Sequence, residues 1–531
     1  LRLVFLLYAE DREIMPKTGL YVQNYSVHTV FERLRADYER YPDTIDHRYG
    51  AWAQLLALFR AVFIGSKHPK LKMPARKGYL FDPDRYAFLE GRPDIAHGLP
   101  LVSDGVVFRV LRNLLMLDGE RLSYRTLDVE QIGSVYERMM GFKIELAEGT
   151  TIAVRPAKAH GAPTAINLER VLAEKPADRA KWLLTHGDQK LTGKLADDLK
   201  QARTIDDLLV ALEKKIARNA TPHPVPKGAV VLQPSDERRR SSSHYTPRSF
   251  TGPIVERALK PILEELGENP TPRQILDLKI CDPAVGSGAF LVEACRQLGD
   301  ELVRAWHNHN QVPYIPPDED ETLLARRIVA QRCLYGVDRN PMAVDLAKLS
   351  LWLATLAREH AFTFLDHNLR HGDSLVGLTR RQLADFHWRE EPRRVLGQDK
   401  VEKRIQLATA SRKEILEADD EFVSPEIKRQ KLDLADEALE PVRQAGDCVI
   451  SAFFSSDKNK ERLENRDEML RIFTEFPQTF KELDAALQEL HGGQHPLRPF
   501  RWEIEFPEVF DRENGSFDAI IGNPPFAGKN T

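Results

Sequence analysis

Cysteine is scarce in this 531-residue chain: there are four, Cys281, Cys295, Cys333 and Cys448. No two are spaced as Cys-x-x-Cys, so the pattern offers neither a zinc knuckle nor a disulfide framework, and no metal site is expected. Such usage fits a reducing compartment, and a cytoplasmic location is expected. Long apolar runs are lacking too. The apolar opening Leu1 to Tyr8 meets Glu10, Asp11, Arg12 and Glu13 at once, far short of the ~20 residues that span a bilayer. No small-residue cleavage site follows, so the segment reads as the buried face of a first helix, with no membrane partner. A large excess of one charge is also missing. The net charge is -4, so any nucleic-acid contact must come from local basic surface. The chain starts at Leu1 without an initiator methionine and stops at Thr531. A fragment at both ends is expected.

At 531 residues the chain is too long for one hydrophobic core, and two or three domains are expected. Residues 1–220 read as a mostly helical N-terminal domain. Between His28 and Phe63, Val30, Phe31, Leu34, Leu55, Leu56, Phe59 and Val62 recur at helical steps. Val107 to Leu117, Val129 to Met140 and Ile205 to Ile216 repeat the pattern. Lys67 to Lys77 is a basic loop with two prolines, Pro69 and Pro74. Its plainer reading is a solvated loop, and its sharper one is contact with phosphates.

Composition breaks next. Asn219 to Arg248 holds Pro222, Pro224, Pro226 and Pro234, then Arg238-Arg239-Arg240 and Ser241-Ser242-Ser243. This reads as a linker, with residues 221–250 carrying it and a first motif. From residue 251 the texture becomes α/β. Ile275 to Cys281, Cys333 to Val337 and Phe517 to Ile521 look like strands; Ala289 to Trp306 and Pro341 to Leu356 look like helices. The alternation implies a parallel, doubly wound sheet. A charged helical insertion, about 380–500, precedes the last of these strand candidates. It reads as a helical hairpin or small bundle.

Four segments sit where strands should end. Asp282-Pro283-Ala284-Val285-Gly286-Ser287-Gly288-Ala289-Phe290 joins a buried strand to a helix, and glycines there allow a tight turn and close approach to a ligand. In Tyr335-Gly336-Val337-Asp338-Arg339-Asn340-Pro341, Asp338 suits ribose hydroxyls, and Asn340 and Pro341 suit a helix start. In His371-Gly372-Asp373-Ser374-Leu375, Asp373 suits an adenine amino group or a turn. In Asn523-Pro524-Pro525-Phe526, two prolines remove N–H donors and leave acceptors suited to an –NH2 group. Phe526 offers a flat face for an extruded base. Ser243-His244-Tyr245-Thr246-Pro247, taken alone, is a linker ending in a turn.

Together these five segments resemble the amino-methyltransferases of DNA, in the N6-adenine branch. Their order is similar to the gamma arrangement, with Tyr245-Thr246-Pro247 first and Asn-Pro-Pro-Phe last. Gly133-Ser134-Val135-Tyr136-Glu137 and Trp502-Glu503-Ile504-Glu505-Phe506-Pro507 look like the large type IIG restriction–modification methylases, and like phage-defence methylases of the BREX and DISARM kind. The resemblance implies a Rossmann-like S-adenosylmethionine-dependent methyltransferase core, incomplete at its C-terminus. It implies that Tyr245, Thr246 and the loop Asp282, Pro283, Ala284, Gly286, Ser287, Gly288 and Phe290 hold S-adenosylmethionine. Asp338 would take its ribose and Asp373 its adenine. Asn523 and Pro524 would hold the target amine, with Pro525 fixing the turn and Phe526 stacking the base. The implied partner is double-stranded DNA with a flipped-out adenine, and defence-system proteins are further candidates.

None of the four cysteines is in a Pro-Cys setting, which a cytosine-C5 enzyme would need as nucleophile. Three rivals stay open. One acts on protein glutamine or an RNA amine, which also present –NH2. One adds a restriction nuclease; its best local match, Asp206 or Asp207 with Glu213-Lys214-Lys215, is too closely spaced. The third is a defence subunit that needs a partner.

Overall fold

The computed structural model describes the chain except residues 18, 79, 93–98, 126–140, 157–161, 188, 235–245, 316–319, 357–360, 391–397, 419–422, 476–480, 494–495 and 525–531. The expected helix at Val129 to Met140, with the Gly133 to Glu137 match, lies outside the described residues, as do Tyr245, Pro525 and Phe526.

The centre of the larger unit is a four-stranded sheet. Its strands are β1 (Ile280–Asp282), β2 (Leu334–Asp338), β3 (Leu369–His371) and β4 (Ala519–Ile520). They lie in the order β3-β2-β1-β4, and every pairing is parallel. This is the doubly wound sheet that the alternation implied. β1 and β2 are buried on both faces, which is why they read as short continuous apolar runs. The chain winds one way from β1 to β2 and β3, then returns to β1's other side with β4. A crevice therefore opens at the carboxyl ends of β1 and β4, where the winding reverses.

One strand boundary differs from expectation. Ile275 belongs to a short helix, Pro272–Asp277, and not to β1. Thr271 and Gln274 form a capping box with Pro272 in the first turn, and this local chemistry overrides the apolar run.

The described residues group into two compact units, divided differently from the composition-based expectation. Leu1–Ser134 joins Tyr245–Pro524, while Val135–His244 forms most of the second unit. The reason is side-chain packing. Phe362, beside the core, meets Phe5 edge-on at 5.2 Å and stacks with Trp352 at 4.7 Å. Arg85 pairs with Asp345 at 2.9 Å, and the Phe362 N–H donates to the Arg76 carbonyl. An apolar helix face does not announce its partner in sequence.

The second unit is mixed, not simply helical. Thr151–Val154 pairs antiparallel with Thr164–Asn167, and four helices between Leu168 and Leu212 cover them. Ile152, Val154, Leu183, Leu199 and Leu208 share its core. The expected linker is partly a strand: Val230–Pro234 pairs with Phe142–Leu146. The prolines lie before and at the end of that strand, where a lost N–H donor is tolerated.

Among the described residues, the insertion includes the helices Gln398–Glu417, Pro425–Phe454, Asn459–Glu475 and Lys481–Gly492. They share a core around Ile405, Leu439, Val442 and Leu490, and they are also built into the sheet's surroundings. Arg412 and Glu508, each with a 1% exposed side chain, pair at 2.6 Å. Arg412 also donates to the His367 carbonyl, and Tyr335 of β2 donates to Glu508 at 3.2 Å. Arg370 of β3 and Arg443 of the long helix both reach Asp436 and Glu505. Burial alone pushes the Glu505 carboxyl up, but Arg443 and Arg370 pull it down to about 2. The segment Trp502 to Pro507 thus has a structural account: its glutamates anchor the insertion. Its aromatics, with Phe500 and Phe517, pack against Tyr335.

Candidate active site

The site is built at the carboxyl rim of the sheet. β1 ends in Asp282, which is 1% exposed. Its carboxylate accepts the Ala284 N–H at 3.0 Å, and among the described residues no cation pairs with it. The loop then turns through Gly286 at φ +52° and Gly288 at φ +81°, a region that disfavours side chains. Gly288 starts helix Ala289–Asn308, and a Cβ there would lie 3.1 Å from the Ala347 Cα. Pro283, Ala284, Gly286 and Ser287 stay partly accessible around the turn. Phe290, by contrast, is 4% exposed and packs behind the loop.

β2 ends in Asp338. One carboxylate oxygen accepts the Gly286 N–H at 2.9 Å, and the other accepts the Asn340 N–H at 2.8 Å. Asp338 therefore stitches the glycine loop to β2. Asn340 caps helix Pro341–Ala354 by accepting the Met342 N–H, as its sequence position suggested. β3 leads to Asp373, whose carboxylate accepts the Leu375 N–H at 3.1 Å and lies 4.0 Å from the Arg339 Nε. Both readings of Asp373 are compatible with this: it makes a turn, and it stands on the rim.

β4 leads through Gly522 to Asn523 and Pro524. The Asn523 side-chain amide donates to the Thr246 hydroxyl at 3.2 Å. Its carbonyl oxygen is left as an acceptor. Thr246 precedes helix Arg248–Glu265, which is held against helix Ala289–Asn308 by Glu293. Glu293 faces Arg248 at 3.4 Å and accepts from Gln297 at 2.9 Å, and Gln297 donates to the Gly252 carbonyl. Motifs far apart in sequence, at 246, 282 and 523, thus meet around the crevice between β1 and β4.

Two contributors were missed from sequence. A Cβ on Gly522 would lie 2.5 Å from the Asp282 Oδ1, so only glycine lets β4 end over that carboxylate. Its signal was its place directly before Asn-Pro-Pro. Glu293, 6% exposed, fixes the helix that follows Thr246; a lone glutamate inside a helix gives no such signal. In the rival nuclease set, the Asp207 carboxylate accepts the N–H groups of Arg203 and Thr204 in a capping box.

A 3-2-1-4 parallel sheet, a glycine turn over a buried carboxylate and acceptors along one rim fit an S-adenosylmethionine-dependent methyltransferase fold. Comparison with known proteins bears out the resemblance to restriction–modification methylases. Residues 332–531 match the family model of the Eco57I restriction-modification methylases, and residues 268–374 match the DNA-methyltransferase domain of MmeI. A putative type II restriction enzyme and methyltransferase of Methanocaldococcus jannaschii is 28% identical, over 47% of this chain and 22% of that protein. The Escherichia coli type II restriction enzyme and methyltransferase RM.Eco57I is 27% identical, over 28% of this chain and 16% of that protein. The chain thus spans less than a quarter of these curated relatives. No solved structure gives a significant match. Among the described residues, no helix is long and apolar enough to cross a membrane.

Proposed function

We propose that the protein is a DNA methyltransferase of restriction–modification, transferring methyl from S-adenosylmethionine to the N6 amine of a flipped-out adenine. The observation that carries this reading is the placement of Asn523 at the end of β4, against Thr246 and beside the glycine loop. The fit to the cofactor rests on Asp282, a buried carboxylate without a cation among the described residues. A sulfonium and an ammonium group are suited to that site. Thr246 and the turn from Asp282 to Gly288 would hold the methionine part, Asp338 the ribose and Asp373 the adenine. When bound, S-adenosylmethionine supplies an activated methyl group on a positively charged sulfur.

The chain's own contribution is orientation and electrostatics. Adenine N6 is a poor nucleophile because its lone pair is delocalised into the ring. The Asn523 Oδ1 and the Pro524 carbonyl accept its two protons, which favours a pyramidal nitrogen with its lone pair available. Thr246, by accepting from the Asn523 amide, keeps the oxygen free for this task. Positioning and hydrogen bonding supply the acceleration, and no covalent enzyme intermediate is needed. Phe526 would stack the extruded base.

The test incubates the full-length protein with unmodified DNA and labelled S-adenosylmethionine, and maps modified bases by single-molecule sequencing. N6-methyladenine at one short motif, lost in Asn523→Ala, is the expected result. Cofactor binding without DNA methylation would sink this reading in favour of a protein or RNA amine.

A further inference from the structure

The basic segment that the sequence left between two readings is not a plain loop. Ser66–His68 and Leu71–Met73 form an antiparallel hairpin with Pro69 and Lys70 at the turn. Its register places Lys67 directly across from Lys72. Both are exposed, as are His68 and Lys70, while Leu71 and Met73 point inward at 8% and 7% exposure. Like charges directly opposite on paired strands destabilise the pair. Among the described residues, no acidic side chain pairs with Lys67, Lys70 or Lys72. Other exposed cations in this chain of net charge -4, such as Arg35, Arg218, Lys458 and Lys460, do have such partners.

The hairpin is also held rigidly. Gly65 closes its base at φ +76°, and a Cβ there would lie 2.6 Å from the Ala75 N. Met73 and Pro74 line a small cleft with Ile14, Met15 and Pro16. Just beyond, Lys77 pairs with Glu426 at 2.9 Å, tying the base to the long helix of the insertion. Three ammonium groups therefore project from a fixed platform, without neutralisation and at a cost to the hairpin itself. That is the arrangement of a surface preorganised for a polyanion.

We propose that this hairpin is a phosphate-contacting element that grips the backbone of duplex DNA. The inference rests on the DNA-methyltransferase reading and extends it to a surface outside the catalytic rim. Three lysines supply charge without base-reading geometry, so the contact sets affinity and register, not sequence.

The experiment measures binding of the full-length protein to a fluorescent duplex by anisotropy, from 50 to 200 mM salt. Lys67→Gln, Lys70→Gln and Lys72→Gln are combined in one variant. Each lost phosphate contact lowers the slope of log K against log salt by about 0.9, so three lower it by about 2.7. Over that fourfold salt range, wild-type affinity falls about 40-fold more than the variant's. Arginine at the same three positions keeps the slope, and Lys458→Gln with Lys460→Gln, each ion-paired within its own segment, leaves it unchanged. The glutamine variant melts no lower than wild type, because a like-charge pair has been relieved, and it binds S-adenosylmethionine as wild type does. If wild type binds DNA and the glutamine variant keeps the same slope, the hairpin's role is overturned and the DNA reading stands. Cofactor binding with no duplex binding at 50 mM salt overturns both.

Discussion

Asp282 gives the sharpest test of the proposed cofactor site. Burial pushes its carboxyl up to about 7, the Ala284 N–H opposes this, and the nearby Asp338 charge adds to the rise. At pH 6 a group titrating at about 7 is roughly 0.9 protonated, and at pH 8 roughly 0.1. A bound cation favours the carboxylate and draws its pKa down, so binding must release that proton. The α-ammonium of S-adenosylmethionine stays charged below its ordinary range of about 7.7–8.0, so from about pH 5.5 to 7 the cofactor's own charge is constant. Affinity should rise with pH by up to about tenfold per unit below 7, then level off. Calorimetry at pH 6 in buffers of different ionisation enthalpy should count nearly one proton released per cofactor. Asp282→Asn should bind more weakly, release no proton and show a flat profile. The same shift makes a stability statement. A carboxyl raised in the folded state costs stability as pH rises from about 4 through 7, and the Asn variant removes that decline. No proton release by wild type at pH 6, or equal release by the variant, refutes the reasoning.

Three other outcomes follow from the geometry. Gly288→Ala forces a side chain to φ +81° and against the Ala347 backbone; denaturant melts should show a loss of about 1–3 kcal/mol, with weakened cofactor binding. Glu508→Leu strands Arg412 in a site where both side chains are 1% exposed; the loss should be about 3–5 kcal/mol, and Arg412→Met in the same protein should recover most of it. Thr246→Val removes the partner of the Asn523 amide; a hydrogen bond of about 0.5–1.5 kcal/mol predicts a fall of about 2- to 12-fold in kcat, reversed by Thr246→Ser. An unchanged kcat would leave Thr246 without a positioning role.

The sheet and its rim were legible because their signals are local. A strand, a glycine turn and a helix cap occupy consecutive residues, so Asp282, Asp338 and Asn340 could be placed from sequence. What was not legible depends on partners far along the chain. Phe5 and Phe81 look like any helix-facing aromatics until Phe362 is seen between them and the core. Val230 to Pro234 looks like linker because its pairing partner, Phe142–Leu146, lies far upstream. Ile275 misled because apolar residues suit a helix turn as well as a strand, and the Thr271 cap decided. The Lys67 to Lys77 segment showed its charge but not its register, and the register is what sets Lys67 against Lys72.

The insertion between β3 and β4 has a consequence for how the molecule is made. β4 pairs with β1, yet all of Gln398–Gly492 must leave the ribosome before β4 exists. At about 5–20 residues per second the wait is on the order of 10 s or longer. During that time β1 presents an unpaired parallel edge, Ile280 to Asp282, on a nascent chain. Unpaired apolar edges recruit other chains. Arg412, which donates to the His367 carbonyl beside β3 in the finished fold, gains its buried carboxylate partner Glu508 only after the whole insertion has been made. The helices between β3 and β4 thus set how long the β1 edge waits for its last partner during synthesis.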